Sequence, residues 1–140
     1  YAWEYFRKIC PSYTEENSAL HKVEPYVYSQ MIAGKDAAKP GEAKNSWLTG
    51  TAAWNWYAIT QYILGIKPAY NGLEINPCIC SQWKEYTVRR RFRGGIYEIT
   101  VQNPDGVCKG VREMYLDGQK IEGNIVPCVS GEHKVTVILG

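Results

Sequence analysis

Tyr86-Thr87-Val88-Arg89-Arg90-Arg91-Phe92-Arg93-Gly94-Gly95-Ile96-Tyr97-Glu98-Ile99-Thr100-Val101-Gln102 is the stretch that decides the fold class. Apolar and polar residues alternate on both sides of a double glycine. This predicts two strands joined by a tight turn, since glycine supplies the positive φ that short hairpin connections require. Turn chemistry and alternation continue beyond it. Asn103-Pro104-Asp105-Gly106 is followed by a strand over Gly110 to Leu116, then Asp117-Gly118, a short strand over Gln119 to Ile125, and His133-Lys134-Val135-Thr136-Val137-Ile138-Leu139. Short strands with regular turns predict an antiparallel β-sandwich or jelly-roll layer. The basic run Arg89 to Arg93 lies in an alternating strand, so its charges are expected on a solvated face rather than in a polyanion site.

Upstream of this stretch the period is helical. Tyr1 to Ile9 carries aromatic and charged residues at helical spacing and is closed by Pro11-Ser12. Tyr26 to Ala33 has apolar groups on one face and stops at Gly34, which predicts a second helix, with Lys35 to Lys44 as a polar loop. Thr51 to Leu64 gives the strongest helical signal: Ala52, Ala53, Trp54, Trp56, Tyr57, Ile59, Tyr62 and Ile63 make it apolar almost all round, and Gly65 and Pro68 stop it. Such a helix must be surrounded by protein. The first half is therefore expected to belong to a larger helical assembly, and the chain reads as α+β with one domain over 1–84 and a second over 85–140.

Composition excludes several functions. The chain has 140 residues, is 45% hydrophobic and carries a net charge of +2, which suits a globular chain with a core and not a nucleic-acid binder. No apolar run approaches the ~20 residues of a membrane span, and Tyr1 to Lys8 lacks the order of a signal peptide. The spacing of Cys10, Cys78, Cys80, Cys108 and Cys128, with His21 and His133, completes no metal motif, so free thiols in a reducing cytoplasm are expected.

Asn45-Ser46-Trp47-Leu48-Thr49-Gly50-Thr51 places small and hydroxyl residues directly before the long helix. The backbone N–H groups of a first helical turn lack intrahelical acceptors, so such a loop can hold an anion. Nearby indoles suit the apolar face of a sugar, which together suggests a phosphate bound beside a sugar. The same residues also make an ordinary helix cap. Trp47, Trp54 and Trp56 can stack on sugar, but at least two of them are expected in the core.

Several ordered segments carry a resemblance. Glu24-Pro25-Tyr26-Val27-Tyr28-Ser29-Gln30-Met31-Ile32-Ala33-Gly34, Gly41 to Trp54, Ile63-Leu64-Gly65-Ile66, Gly72-Leu73 and Arg90-Arg91-Phe92-Arg93-Gly94 resemble the C-terminal part of the inverting disaccharide phosphorylases of glycoside hydrolase family 94. The resemblance implies the last helices of an (α/α)6 catalytic barrel followed by a C-terminal β layer. It implies cleavage of a β-linked disaccharide by inorganic phosphate, with inversion, to an α-sugar 1-phosphate and a shorter sugar. Phosphate is then a substrate, and no cofactor is implied.

By the same resemblance, Thr49 and Gly50 match the phosphate-contacting loop, and Gln30 matches a position near phosphate and sugar. The family's general acid, an aspartate, and its phosphate-binding arginine and histidine belong to an earlier part of the barrel. Asp36 stands in the wrong loop context, and Asp105 and Asp117 read as turn residues. Glu24 is expected to offer its charge to a helix N-terminus. No catalytic residue is thus expected in this chain, whose partners would be the N-terminal part of the enzyme, a disaccharide or oligosaccharide and phosphate, and a second copy in a homodimer. The competing reading is a carbohydrate-binding or structural domain without catalysis.

Overall fold

The computed structural model describes residues 1–140, which divide into two units, Tyr1–Ala58 and Ile59–Gly140. In the first unit the expected helix forms as α1 (Ala2–Ile9), with Glu4 in its first turn and Arg7 and Lys8 in its last, as the helix dipole favours. It stops at Cys10, whose extended backbone (φ −72°, ψ 127°) is the conformation a following proline imposes. Pro11 does not close the helical region. It takes the first position of α2 (Pro11–Thr14), where its missing N–H has no intrahelical partner to lose. A 3-10 turn (Glu15–Asn17) and α3 (Ser18–His21) follow.

The helix expected over Tyr26 to Ala33 is not formed. Ser29–Ile32 is strand β1, paired antiparallel with β2 (Ala43–Ser46), Ser29 opposite Ser46 and Met31 opposite Lys44. The polar loop is the connection of this hairpin, closed by bonds of 2.9 Å from Ala33 N to Glu42 O and from Gly41 N to Ala33 O. The apolar spacing fitted a helix, but Val27, Tyr28 and Ile32 also favour strand, and pairing with Ala43–Ser46 decides between them.

Gly50 leads into α4 (Thr51–Tyr57), after which Ala58–Ile63 continues with π-helical turns, marked by the 2.8 Å bond from Leu64 N to Ile59 O. The expected single helix is therefore two segments of different pitch. Four short α-helices are too few for six helix pairs, so no barrel is closed within this chain. Nor does the chain enclose its indoles: Trp47 and Trp56 are each 67% exposed and Trp54 is 73% exposed, contrary to the expected burial of at least two. In the first unit only His21, Ala43 and Asn55 are buried.

The second unit is a β-sandwich. One sheet has three strands, β3 (Ile66–Pro68), β4 (Gly72–Ile75) and β9 (Ile125–Pro127), in the order β3-β4-β9. The other contains β5 (Glu85–Phe92), β6 (Gly95–Gln102), β7 (Val111–Leu116), β8 (Gln119–Ile121) and β10 (Gly131–Leu139), in the order β5-β6-β10-β7-β8. The strand expected over Gln119 to Ile125 is divided between the two sheets as β8 and the start of β9. The layer is also not wholly antiparallel: β10 runs parallel to β6, Ile99 beside Val135 and Val101 beside Val137.

The deciding hairpin forms, with Phe92 opposite Gly95. Its turn residues are Arg93 (φ 43°) and Gly94 (φ 86°), one position earlier than the double glycine suggested. Gly95 has another role. A Cβ there would stand 2.3 Å from Val129 O, so glycine is required by the close approach of that backbone.

Alternate residues of β6 and β10 point into one core. Tyr97, Ile99, Val101, Val135, Val137 and Leu139 meet Leu73, Ile75 and Val126 of the smaller sheet, and Met114 completes the layer. Each such apolar side chain contributes about 1.5–3 kcal/mol on burial. Two buried polar groups are fully used. Tyr97 Oη accepts from Val129 N at 2.8 Å and lies 2.9 Å from Val129 O. Asn103 donates to Trp83 O and Val107 O and accepts from Val107 N, each at 2.9 Å.

A partly exposed ion pair joins the β7–β8 turn to β10. His133 Nδ1 donates to Asp117 Oδ2 at 2.8 Å, His133 Nε2 lies 3.2 Å from Ser130 O, and Lys134 N donates to Asp117 Oδ1. The Asp117 carboxylate and then the Ser130 carbonyl hold the imidazole above its ordinary value. The His133 hydrogen bond and then the Lys134 N–H hold Asp117 below the usual carboxylate value.

Asn103→Ala strands the groups around residue 103 and is expected to lower the stability of this unit by about 3 kcal/mol, read as a fall in urea midpoint without a change in slope. The raised His133 value gives a signed pH dependence. Its contribution is complete below about pH 6.5 and is lost as the pH rises through the folded-state value. The difference in melting temperature between the native chain and His133→Gln should therefore shrink from pH 6 to pH 9.

Candidate functional site

The hairpin β1–β2 and the start of α4 frame the segment Asn45 to Thr51. Gln30 and Asn45 face each other across the hairpin, and Asn45 Nδ2 donates to Gln30 Oε1 at 2.8 Å. That bond leaves the Gln30 amide nitrogen as the free donor. Asn45 is left-handed at φ 57°, which asparagine tolerates better than most side chains.

Trp47 is left-handed too, at φ 69°, and the bond from Leu48 N to Ser46 O (2.8 Å) closes a three-residue γ-turn around it. Such a conformation in a bulky residue stores about 1–3 kcal/mol of strain. Trp47 Nε1 donates to Glu24 Oε1 at 3.0 Å, and the Tyr26 ring meets the indole edge-on at 6.3 Å. No helix begins at Glu24, so its charge does not serve a helix N-terminus. Its carboxyl lies below the usual range because its own backbone N–H, then the Trp47 indole, then Ser46, hydrogen-bond the ionised form.

Thr49 and Gly50 complete the segment. Thr49 Oγ1 accepts from Thr51 N at 3.1 Å and lies 2.6 Å from Thr51 Oγ1. When Thr51 is the donor of that short bond, the Thr49 hydroxyl proton is left to donate outward. Gly50 O accepts from Trp54 N at 3.0 Å, and Asn55 Nδ2 donates to Thr51 O, fixing the first turn of α4. Gly50 itself is exposed, with an ordinary φ of −79°. A Cβ there would meet only the Trp54 ring, at 3.4 Å, an ordinary contact. The packing of the chain does not require glycine at this position.

Gln30, bonded to Asn45, stands at the start of this segment, and Thr49 and Gly50 stand at its end, directly before α4. Asn45 and Trp47 lie in the segment that the sequence singled out, but their bonds to Gln30 and Glu24 were not foreseen. The strand pairing that places Asn45 opposite Gln30, and the left-handed turn that points Trp47 at Glu24, leave no local spacing signal. No three His, Cys, Asp or Glu side chains converge as ligands for a metal ion, and all five cysteines are free.

The catalytic domain of the glycosyl hydrolase 94 superfamily matches residues 1–65, which include the whole segment. An N,N'-diacetylchitobiose phosphorylase of Vibrio proteolyticus is 44% identical over 89% of the chain, and one of Vibrio furnissii is 38% identical over 99% of it. Residues 1–65 belong to the glycosyl hydrolase 94 superfamily. A solabiose phosphorylase of Paenibacillus borealis is 35% identical over 90% of the chain. The chain spans only 16–17% of the length of these three relatives. No helix is long and apolar enough to cross a membrane.

The Thr49 bond to Thr51 N makes a local prediction. Thr49→Val keeps the shape and removes the acceptor, so the Thr51 amide should exchange with solvent about fivefold faster in hydrogen-exchange NMR, while amides in β6 keep their rates.

Proposed function

We propose that this chain is the C-terminal part of a family 94 disaccharide phosphorylase, and that Thr49 and Gly50 supply part of its phosphate site while Gln30 binds substrate beside it. The reaction is attack of inorganic phosphate on a β-linked disaccharide, with inversion, giving an α-sugar 1-phosphate and a shorter sugar. No cofactor takes part. The observation that carries the reading is Gly50, the exposed N-cap of α4 in the segment matched to the catalytic domain, where packing leaves room for a Cβ that the residue lacks. A missing Cβ opens the Gly50 and Thr51 backbone to close approach by a ligand. The Thr49 hydroxyl stands next to it as a donor, and the Gln30 amide nitrogen is held free by Asn45 to serve a sugar hydroxyl or phosphate oxygen.

Phosphate is itself the nucleophile, so one carboxylic acid suffices to protonate the leaving oxygen. The carboxylates here do not suit that task. A general acid at neutral pH needs a raised value, whereas Glu24, Glu113 and Asp117 are all held low by hydrogen bonds, and Asp105 is paired with Arg112 at 2.6 Å. On this reading the acid and the other walls of the site come from upstream residues. The first unit supports this in another way, for Trp47, Leu48, Trp54 and Trp56 are all at least two-thirds exposed. They are apolar surface for the remaining helices of an (α/α)6 barrel to cover. We place the enzyme in the cytoplasm, where its free thiols stay reduced, as a homodimer.

A carbohydrate-binding module on the β unit has less support. Tyr97 is fully buried, Trp83 and Tyr86 pack against the core, and Tyr115 is half-buried with its hydroxyl on Glu113, so these four aromatic residues do not form an open platform.

The test is phosphate consumption with N,N'-diacetylchitobiose, the substrate in the names of two relatives, and with cellobiose. Activity is expected when the chain is combined with the upstream catalytic part and not with the chain alone; inactivity of the combination with both sugars would remove the reading. In the combined enzyme, Thr49→Ala should weaken phosphate use by about 1.5–3 kcal/mol and leave disaccharide binding nearly unchanged. Gly50→Ala should raise the phosphate KM while leaving the melting temperature in place.

A further inference from the structure

We infer that Glu24 is a positioning residue: its carboxylate holds Trp47 in the γ-turn that aims Thr49 and Gly50. This deepens the phosphate reading and rests on it. The turn is strained at Trp47, φ 69°, and its backbone closure is the single bond from Leu48 N to Ser46 O. A strained turn persists only where its surroundings over-determine it. On the upstream side the Asn45–Gln30 bond fixes the strand, and on the downstream side Thr49 is tied to Thr51. Between them Leu48 is 80% exposed and cannot anchor the chain by packing. The Glu24 carboxylate, hydrogen-bonded by the Trp47 indole and by Ser46, and the Tyr26 ring remain as the clamp on the middle of the segment.

Glu24 is suited to this task by its own surroundings. The proline at 25 restricts the backbone of Glu24, and the bond from Val27 N to Glu24 O closes a turn beneath it at 3.2 Å. The backbone that carries the carboxylate is therefore restricted, and from it the side chain reaches the indole N–H at 3.0 Å. Release of Trp47 lets its backbone return to an ordinary φ, which turns the chain two residues ahead of Thr49. The hydroxyl and the bare backbone of Gly50 then leave the positions in which they face one anion together.

The experiment uses the combined enzyme and measures KM for phosphate and for disaccharide separately in Glu24→Ala, Glu24→Gln, Trp47→Phe and Thr49→Ala. Glu24→Ala is expected to raise the phosphate KM about tenfold and the disaccharide KM by less than about threefold. Glutamine still offers an oxygen to the indole, so Glu24→Gln should stay within about threefold of the native enzyme. Trp47→Phe should match Glu24→Ala, and the double variant should be no worse than either alone. A native phosphate KM in Glu24→Ala beside a raised one in Thr49→Ala overturns the clamp alone. Equal losses for both substrates, with no recovery in Glu24→Gln, also overturn it, since they mark a merely structural residue. An unchanged phosphate KM in Thr49→Ala shows that the phosphate reading has failed first and takes the clamp with it.

Discussion

The burial of alternate residues along β6 is the constraint on which the second unit depends. Tyr97, Ile99 and Val101 have no exposed surface, and their strand lies between β5 and β10. A shift of register by one residue would exchange them for Glu98, Thr100 and Gln102 and bury a carboxylate without a partner. The neighbouring strands are therefore held in step with β6. The Tyr97 hydroxyl extends that control beyond the sheet, since it binds the backbone around Val129 and so positions the start of β10.

The first unit is organised on different terms. It buries few side chains, and its order comes from hydrogen bonds between polar groups and from backbone restriction at Pro11 and Pro25. Asn45 with Gln30, Glu24 with Trp47, and Thr49 with Thr51 are each small interactions at or near the surface. Together they hold a segment with two left-handed residues that are not glycine. A structure of this kind specifies geometry at modest stability, which is what a binding turn in a larger framework requires.

The β half was legible because its signal is local. Period-2 alternation, Asp-Gly and Gly-Gly turns fall within a few residues of one another, and they predicted the β5–β6 hairpin and the β7–β8 turn. What was not legible depends on contacts between distant segments. Ser29–Ile32 has a helical apolar spacing, and only its pairing with Ala43–Ser46 makes it a strand. The parallel course of β10 beside β6 likewise has no local mark. At the candidate site, Thr49, Gly50 and Gln30 could be named from motif, whereas Glu24 was named for the wrong reason, because its partner Trp47 stands 23 residues away.

The parallel ladder has a consequence for the order in which the protein is made. β6 begins at Gly95 and pairs with a strand that begins at Gly131, so the central ladder of the core joins residues 36 positions apart. The β5–β6 hairpin can form as soon as it leaves the ribosome, but one edge of β6 stays open until β10 has been synthesised. During that interval an apolar strand edge is available to the wrong neighbour. Slow synthesis between Gln102 and Gly131 would lengthen the exposure, and a rapid passage through β7 to β10 would shorten it.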